Sequence, residues 1–113
     1  MGVLLYGDDG MRVGMDDRTL AHVQALVNSR LRRNQPFFLW WRDSRLTGDG
    51  QSSMWVARGI TLVFRYRSTL PILLDDDWMR LLLQAADRPG GTFLAAEPGT
   101  SDEPRPESTV RLN

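Results

Sequence analysis

The sequence predicts an α+β domain in the order ββαβββαβ, a mainly antiparallel sheet covered on one face by two helices. Three observations carry this reading. The chain opens on a period-two pattern split by a glycine-rich turn, two apolar stripes of helical period each follow aspartates, and β-prone aromatic runs lie between them. With 113 residues, a single domain over 1–96 followed by a tail agrees with the usual domain size of roughly 100–150 residues.

Residues 3–6 are a short β-prone run, Gly7-Asp8-Asp9-Gly10 supplies turn chemistry, and Met11, Val13 and Met15 alternate with Arg12 and Gly14, so the start reads as a hairpin. Asp16 and Asp17 suit a helix N-terminus, where carboxylates cap free backbone N–H groups and meet the helix dipole favourably. That helix is expected over about residues 18–33. Its apolar side holds Leu20, Val23, Val27 and Leu31 with Leu26 at the margin; its opposite side holds Arg18, His22, Ser29, Arg32 and Arg33. Asn34 and Pro36 end the helix. Phe37-Phe38-Leu39-Trp40-Trp41 has the continuous apolar character of a central strand buried on both faces.

Residues 42–53 read as a long polar loop around Gly48-Asp49-Gly50, leading to Met54-Trp55-Val56. After Ala57-Arg58-Gly59, the residues Ile60, Leu62, Phe64 and Tyr66 alternate with Thr61, Val63, Arg65 and Arg67, the cleanest strand pattern in the chain. Asp75-Asp76-Asp77 opens a second helix with Trp78, Leu81, Leu82, Ala85 and Ala86 on its apolar side. Pro89-Gly90-Gly91 closes it, and residues 92–96 form the expected last strand. Pro, Glu, Ser, Asp and Thr dominate residues 97–113, which predicts a disordered acidic tail whose few apolar groups do not offset the entropy of ordering it. There is no internal repeat.

Composition excludes more chemistry than any motif supports. All fourteen basic residues are Arg, there is no Cys, and His22 is the one histidine. An adenylyl-lysine, a pyridoxal Schiff base, a P-loop lysine and a thiol nucleophile are therefore impossible, and a zinc site would rest on carboxylates around one imidazole. A GC-rich genome explains the Lys-to-Arg bias more simply than selection for bidentate contacts does. Residues 1–96 carry twelve Arg and ten Asp, while residues 97–113 carry two Arg, one Asp and three Glu, an asymmetry too small for a DNA-coating protein. The start lacks a basic n-region and its apolar run breaks at Gly7, so neither a signal peptide nor a membrane span is expected. Cysteine usage fits a reducing cytoplasm, the expected location.

Each candidate site competes with a plainer reading. Asp75, Asp76 and Asp77, with Asp43 and Asp49, have oxygen donors suited to a divalent cation, yet helix capping and turn chemistry account for them and no spacing matches an EF-hand. His22 with Ser52 or Ser53 would need a nucleophile elbow, but Met54 stands where that motif needs glycine; His22 reads instead as a solvated or partner-contacting residue. Gly90 and Gly91 follow a helix, whereas a phosphate loop precedes one. No catalytic residue, metal or cofactor is therefore expected.

The most informative constellation interleaves aromatic rings and guanidinium groups: Trp40, Trp41, Arg42, Arg45, Trp55, Arg58, Arg65, Tyr66 and Arg67. The plainer reading is core aromatics with ordinary surface arginines; beside it, two helices cover one sheet face, so the other face is solvated, pairs with another chain, or binds something. Bases stack on such rings at roughly 1–3 kcal/mol each while Arg meets phosphate, so single-stranded nucleic acid is one candidate and a protein interface the other. The helix stripe of Arg18, His22, Ser29, Arg32 and Arg33 reads by default as a solvated face, with a phosphate-contacting or acidic-partner face as the alternative.

The segments MGVLLYG, DDRTLAHVQ, LRR followed by FFLWW, GDGQSSMWV, ITLVFRY and the closing Trp78, Leu81-Leu82-Leu83, Ala85 and Pro89-Gly90-Gly91 resemble a family of small actinobacterial proteins of unknown function. The likeness covers nearly all of residues 1–96, with Asn34-Gln35-Pro36 in place of a Gly-Glu-Ser-type turn. Some members of that family carry the name "ATP-dependent DNA ligase". Ligase chemistry needs a lysine in a KxDG motif to form the adenylate, and this chain has none, so the resemblance carries no catalytic residue over. What remains is a non-enzymatic interaction module, self-associating or protein-binding through the Trp and Arg residues, with a nucleic-acid-binding accessory as the alternative. The candidate surface comprises Arg18, His22, Arg33, Trp40, Arg42, Arg45, Trp55, Arg58, Arg65 and Arg67.

Overall fold

Two aspartates start the helices, as their position in the sequence requires. Asp16 accepts hydrogen bonds from the Thr19 backbone N–H at 3.2 Å and from its hydroxyl at 2.6 Å, capping α1 (Asp17–Arg32). Asp75 accepts from the Trp78 N–H at 2.7 Å and caps α2 (Asp76–Ala85). These contacts come from a computed structural model that describes residues 1–48 and 50–109. The strands are β1 (Gly2–Tyr6), β2 (Met11–Met15), β3 (Phe37–Arg42), β4 (Gln51–Val56), β5 (Leu62–Arg65), β6 (Thr92–Phe93) and β7 (Glu107–Thr109), with a 3-10 turn at Arg45–Thr47. The α+β class and the order ββαβββαβ are borne out, and β7 follows them.

The expected sheet is divided in two. The hairpin pairs Gly2 with Met15 through Tyr6 with Met11, and gains β5 beside β1 and β7 beside β2, in the order β5-β1-β2-β7. A second sheet has the order β4-β3-β6, with β3 antiparallel to β4 and parallel to β6. Alternation in sequence reports which face a strand buries, not which strand it pairs with, so this partition is not encoded in the period-two signal. One core joins all layers: Leu4 and Val13, Leu20, Val23 and Leu26 of α1, Leu39 and Trp41, Met54 and Val56, Trp78 and Leu82 of α2, and Leu94. The strand at residues 51–56 starts earlier than expected and shortens the polar loop.

The expectations for His22 and for β3 change. His22 is fully buried, not solvated: its ring lies 4.3 Å from that of Trp78, Nε2 accepts the Asp75 N–H at 2.8 Å, and Nδ1 is 2.7 Å from the Arg18 carbonyl. Because Nε2 accepts, the proton resides on Nδ1, which donates to that carbonyl; a neutral imidazole thus pins the start of α2 to α1. The helical wheel missed this because imidazole, once both nitrogens are satisfied, packs as an aromatic. Arg30 is likewise buried, bonded to Asp87 at 2.8 Å with its guanidinium 5.7 Å from the Phe37 ring centroid. β3 is central, but it buries only the face bearing Phe37, Leu39 and Trp41.

Of the tail expected over residues 97–113, residues 97–109 lie along the domain, and residues 110–113 lie outside the described residues. Glu97 pairs with Arg18, Glu103 with Arg42, the Pro106 carbonyl accepts the Ser44 N–H, and residues 107–109 complete the β2 edge. Composition does not count the backbone donors and acceptors that an open strand edge offers. The tail's carboxylates meet the arginine excess of the body.

Two carboxylates, Asp17 and Glu97, respond to acid. The backbone N–H groups of Ser68 and Arg67 hold the Asp17 carboxyl below the usual carboxylate range, and the Arg18 guanidinium does the same for Glu97. With a lowered folded-state pKa, each contribution is present in full above the ordinary value near pH ~4 and disappears as pH falls through the lowered one. Urea midpoints measured against pH are expected to drop on acidification below about pH 4, and less steeply in an Asp17→Asn, Glu97→Gln variant.

Candidate functional site

Strand parity builds the candidate site. On β3 the residues Phe38, Trp40 and Arg42 face away from the core, and register sets Phe38 opposite Trp55 of β4 and Trp40 beside Phe93 of β6. The Phe38 and Trp55 rings lie 4.8 Å apart at 54°, the Trp40 and Phe93 rings 4.4 Å apart at 39°, both tilted pairs of the favoured kind. Phe38 and Trp55 are each 41% exposed. The Tyr6 hydroxyl donates to the Trp55 carbonyl at 2.7 Å and fixes the end of β4.

On the other side, α2 leaves Leu81 exposed, and Leu81, Gln84, Arg88, Trp40 and Phe93 enclose an open groove of about 530 Å³. Gly91 holds that groove together. Its φ is +80°, and a Cβ placed on it would lie 2.2 Å from the Phe38 carbonyl oxygen, so only glycine lets the loop closing α2 rest on β3.

The structure brings together Trp40, Arg42 and Trp55 and disperses the other predicted residues. Arg42 pairs with Glu103 at 3.2 Å, and its guanidinium carbon lies 5.6 Å from the Phe93 ring centroid. Arg45 is exposed in the neighbouring 3-10 turn. Arg58 donates to the Leu31 and Arg32 carbonyls, capping the C-terminal end of α1. Arg65 is exposed on β5 of the other sheet, and exposed Arg67 lies past the end of that strand. Arg18 makes a two-pronged contact with Glu97 at 2.7 and 2.8 Å and reaches the Leu73 carbonyl, while Arg33 is the C-cap residue of α1. His22 lies inside. Phe38, Phe93 and Leu81 are the parts that sequence reasoning missed; the charge at Arg42, two residues beyond Trp40, carried the parity that exposes Phe38 and Trp40.

No group of three His, Cys, Asp or Glu is placed to hold a metal ion among the described residues. Asp75 is a cap, Asp77 pairs with Arg80, and the Ser52 hydroxyl donates to Asp43 at 2.8 Å; Asp49 lies outside the described residues. Both His22 ring nitrogens are engaged by backbone, of Arg18 and Asp75, which leaves neither to act as base toward a serine hydroxyl in this arrangement.

The domain of unknown function DUF7882 matches residues 1–97. The chain belongs to that family. Neither a curated protein nor a solved structure matches the chain. The DUF7882 match ends at Glu97, the residue whose carboxylate holds Arg18, so the aromatic face and the Gly91 loop lie inside the matched stretch and β7 lies beyond it.

Proposed function

We propose that this DUF7882 domain is a non-enzymatic interaction module that receives an apolar segment of a partner protein on the outer face of the β4-β3-β6 sheet. The observation that carries the reading is the set of four aromatic rings on the outward side of β3, β4 and β6: Phe38 and Trp55 are exposed, and Trp40 and Phe93 are half-buried where Leu81, Gln84 and Arg88 border them in an open groove. Aromatic anchors of this kind dominate interface energies. Engagement of Arg18, Arg42 and Arg58 by carboxylates and carbonyls weighs against the nucleic-acid reading, since those cations are already matched. No helix among the described residues is long and apolar enough to cross a membrane. A cytoplasmic setting and an actinobacterial lineage belong to the same proposal, and the ligase name of relatives is read as carrying no catalysis.

The test is a Trp55→Ser, Phe38→Ser variant. Both side chains are partly exposed, so the urea midpoint should move by no more than about 1 kcal/mol of stability while recovery of the wild-type partner falls at least about tenfold. Single-stranded oligonucleotides should show no titratable binding at low salt; binding with a log–log salt slope near −0.7 per phosphate would favour the nucleic-acid reading instead.

A further inference from the structure

The segment joining β5 to α2, Ser68-Thr69-Leu70-Pro71-Ile72-Leu73-Leu74, holds a second surface unrelated to the aromatic face. Leu70, Leu73 and Leu74 are 75, 87 and 43% exposed. Single exposed leucines are ordinary, but three within five residues make a patch. The segment is also fastened in that shape. Asp17 accepts the Arg67 and Ser68 N–H groups at 3.1 and 2.9 Å, the Ser68 hydroxyl accepts the Leu70 N–H at 3.1 Å, and Arg18 donates to the Leu73 carbonyl at 3.1 Å.

The same helix carries a complementary hollow. An open cavity of about 430 Å³ lies between the leucine segment and Ala21, Gln24 and Ala25 of α1. A second, of about 470 Å³, is lined by Ala25, Asn28, Ser29, Arg32 and Arg33 over the C-terminal half of α1. The two share Ala25 and Asn28, so protrusion and hollow flank the middle of one helix. A two-fold axis across α1 at that point sets the leucines of each copy over the hollow of the other, where the aliphatic stems of Arg32 and Arg33 cover apolar surface.

Charge is arranged in the same sense. The Arg32 and Arg33 guanidinium groups have no ion-pair partner among the described residues and mark the C-terminal end of α1. Exposed Asp76 lies by the N-terminal end, because the Asp75 N–H bonds His22 and Leu73 bonds Arg18. Antiparallel copies therefore oppose cations to a carboxylate, whereas parallel copies oppose like charges. A sixteen-residue helix is about 24 Å long, so the hollow and the leucine segment extend along most of one side of the domain's longest helix. We infer that this α1 face and its leucine segment form a two-fold interface with a second copy of this chain.

Light scattering after size exclusion of the full chain tests it. The wild type is expected at twice the chain mass at about 100 µM. Leu73→Asp should run as a monomer with an unchanged circular dichroism spectrum, and Trp55→Ser should remain a dimer. An Arg32→Glu, Arg33→Glu variant should be monomeric alone and recover the dimer mass when mixed with Asp76→Arg. A monomeric wild type, a dimeric Leu73→Asp variant, or a dimer lost through Trp55→Ser overturns the inference. So does a wild-type monomer that binds phosphatidylglycerol vesicles through Leu70 and Leu73, which would assign the segment to a lipid surface.

Discussion

Gly91→Ala is expected to destabilise the domain by about 2–4 kcal/mol, the sum of a left-handed backbone imposed on alanine and a methyl group forced onto a strand carbonyl. The position combines φ +80° with a Cβ site 2.2 Å from the Phe38 oxygen and 2.7 Å from the Phe38 Cβ. Relief requires the loop that closes α2 to lift from β3. That movement separates the groove wall of Gln84 and Arg88 from Trp40 and Phe93, so the substitution should weaken partner binding along with stability. Gly90 is the matched control, since a Cβ there has nothing within 4 Å, and Gly90→Ala should cost less than about 1 kcal/mol. Urea denaturation of the pair checks this; equal small losses would contradict the close approach of Gly91 to β3.

His22→Ala should cost about 2–4 kcal/mol as well, although the helical wheel puts this residue on a polar face. Two effects add. Removing the ring leaves a void against Trp78, and the Asp75 N–H loses its acceptor at the point where α2 begins. A solvated histidine would cost less than about 0.5 kcal/mol, the value expected for exposed Arg33→Ala, so the same denaturation experiment separates the two readings. Hydrogen exchange should rise first at the N-terminal turn of α2, whose capping residue His22 anchors.

His22 marks where the sequence stopped being legible. The hairpin, both helix starts and the alternating strand at residues 62–65 follow from local signals, because capping aspartates, turn glycines and side-chain period act within a few residues. What lies across space was not legible. Imidazole at position 22 looks polar until Asp75 and Arg18 are seen to satisfy it, and Arg30 looks solvated until Asp87 and Phe37 surround it. Of the aromatic and Arg constellation, Trp40, Arg42 and Trp55 share one sheet face, while Trp41 is buried on the other. Arg58 of the same constellation and Arg18 of the helix stripe are engaged elsewhere, by carbonyls and by Glu97. The leucine segment is not legible in the same way: leucines 70, 73 and 74 have the i, i+3, i+4 spacing of a helix, but Pro71 interrupts them and Asp75 starts α2 beyond them, so their exposure appears only in the structure.

The central claim concerns the aromatic face, and a photo-reactive phenylalanine analogue at position 55, introduced into the full chain in its native cells, tests it most directly. Irradiation should yield a discrete protein adduct absent from a matched probe at Asp9, an exposed turn residue on the other sheet. The adduct should disappear when Phe38 is also replaced by Ser, and the purified adduct partner should bind the wild-type domain in titration. No adduct above the position-9 background, or adducts consisting of nucleic acid, would contradict the account.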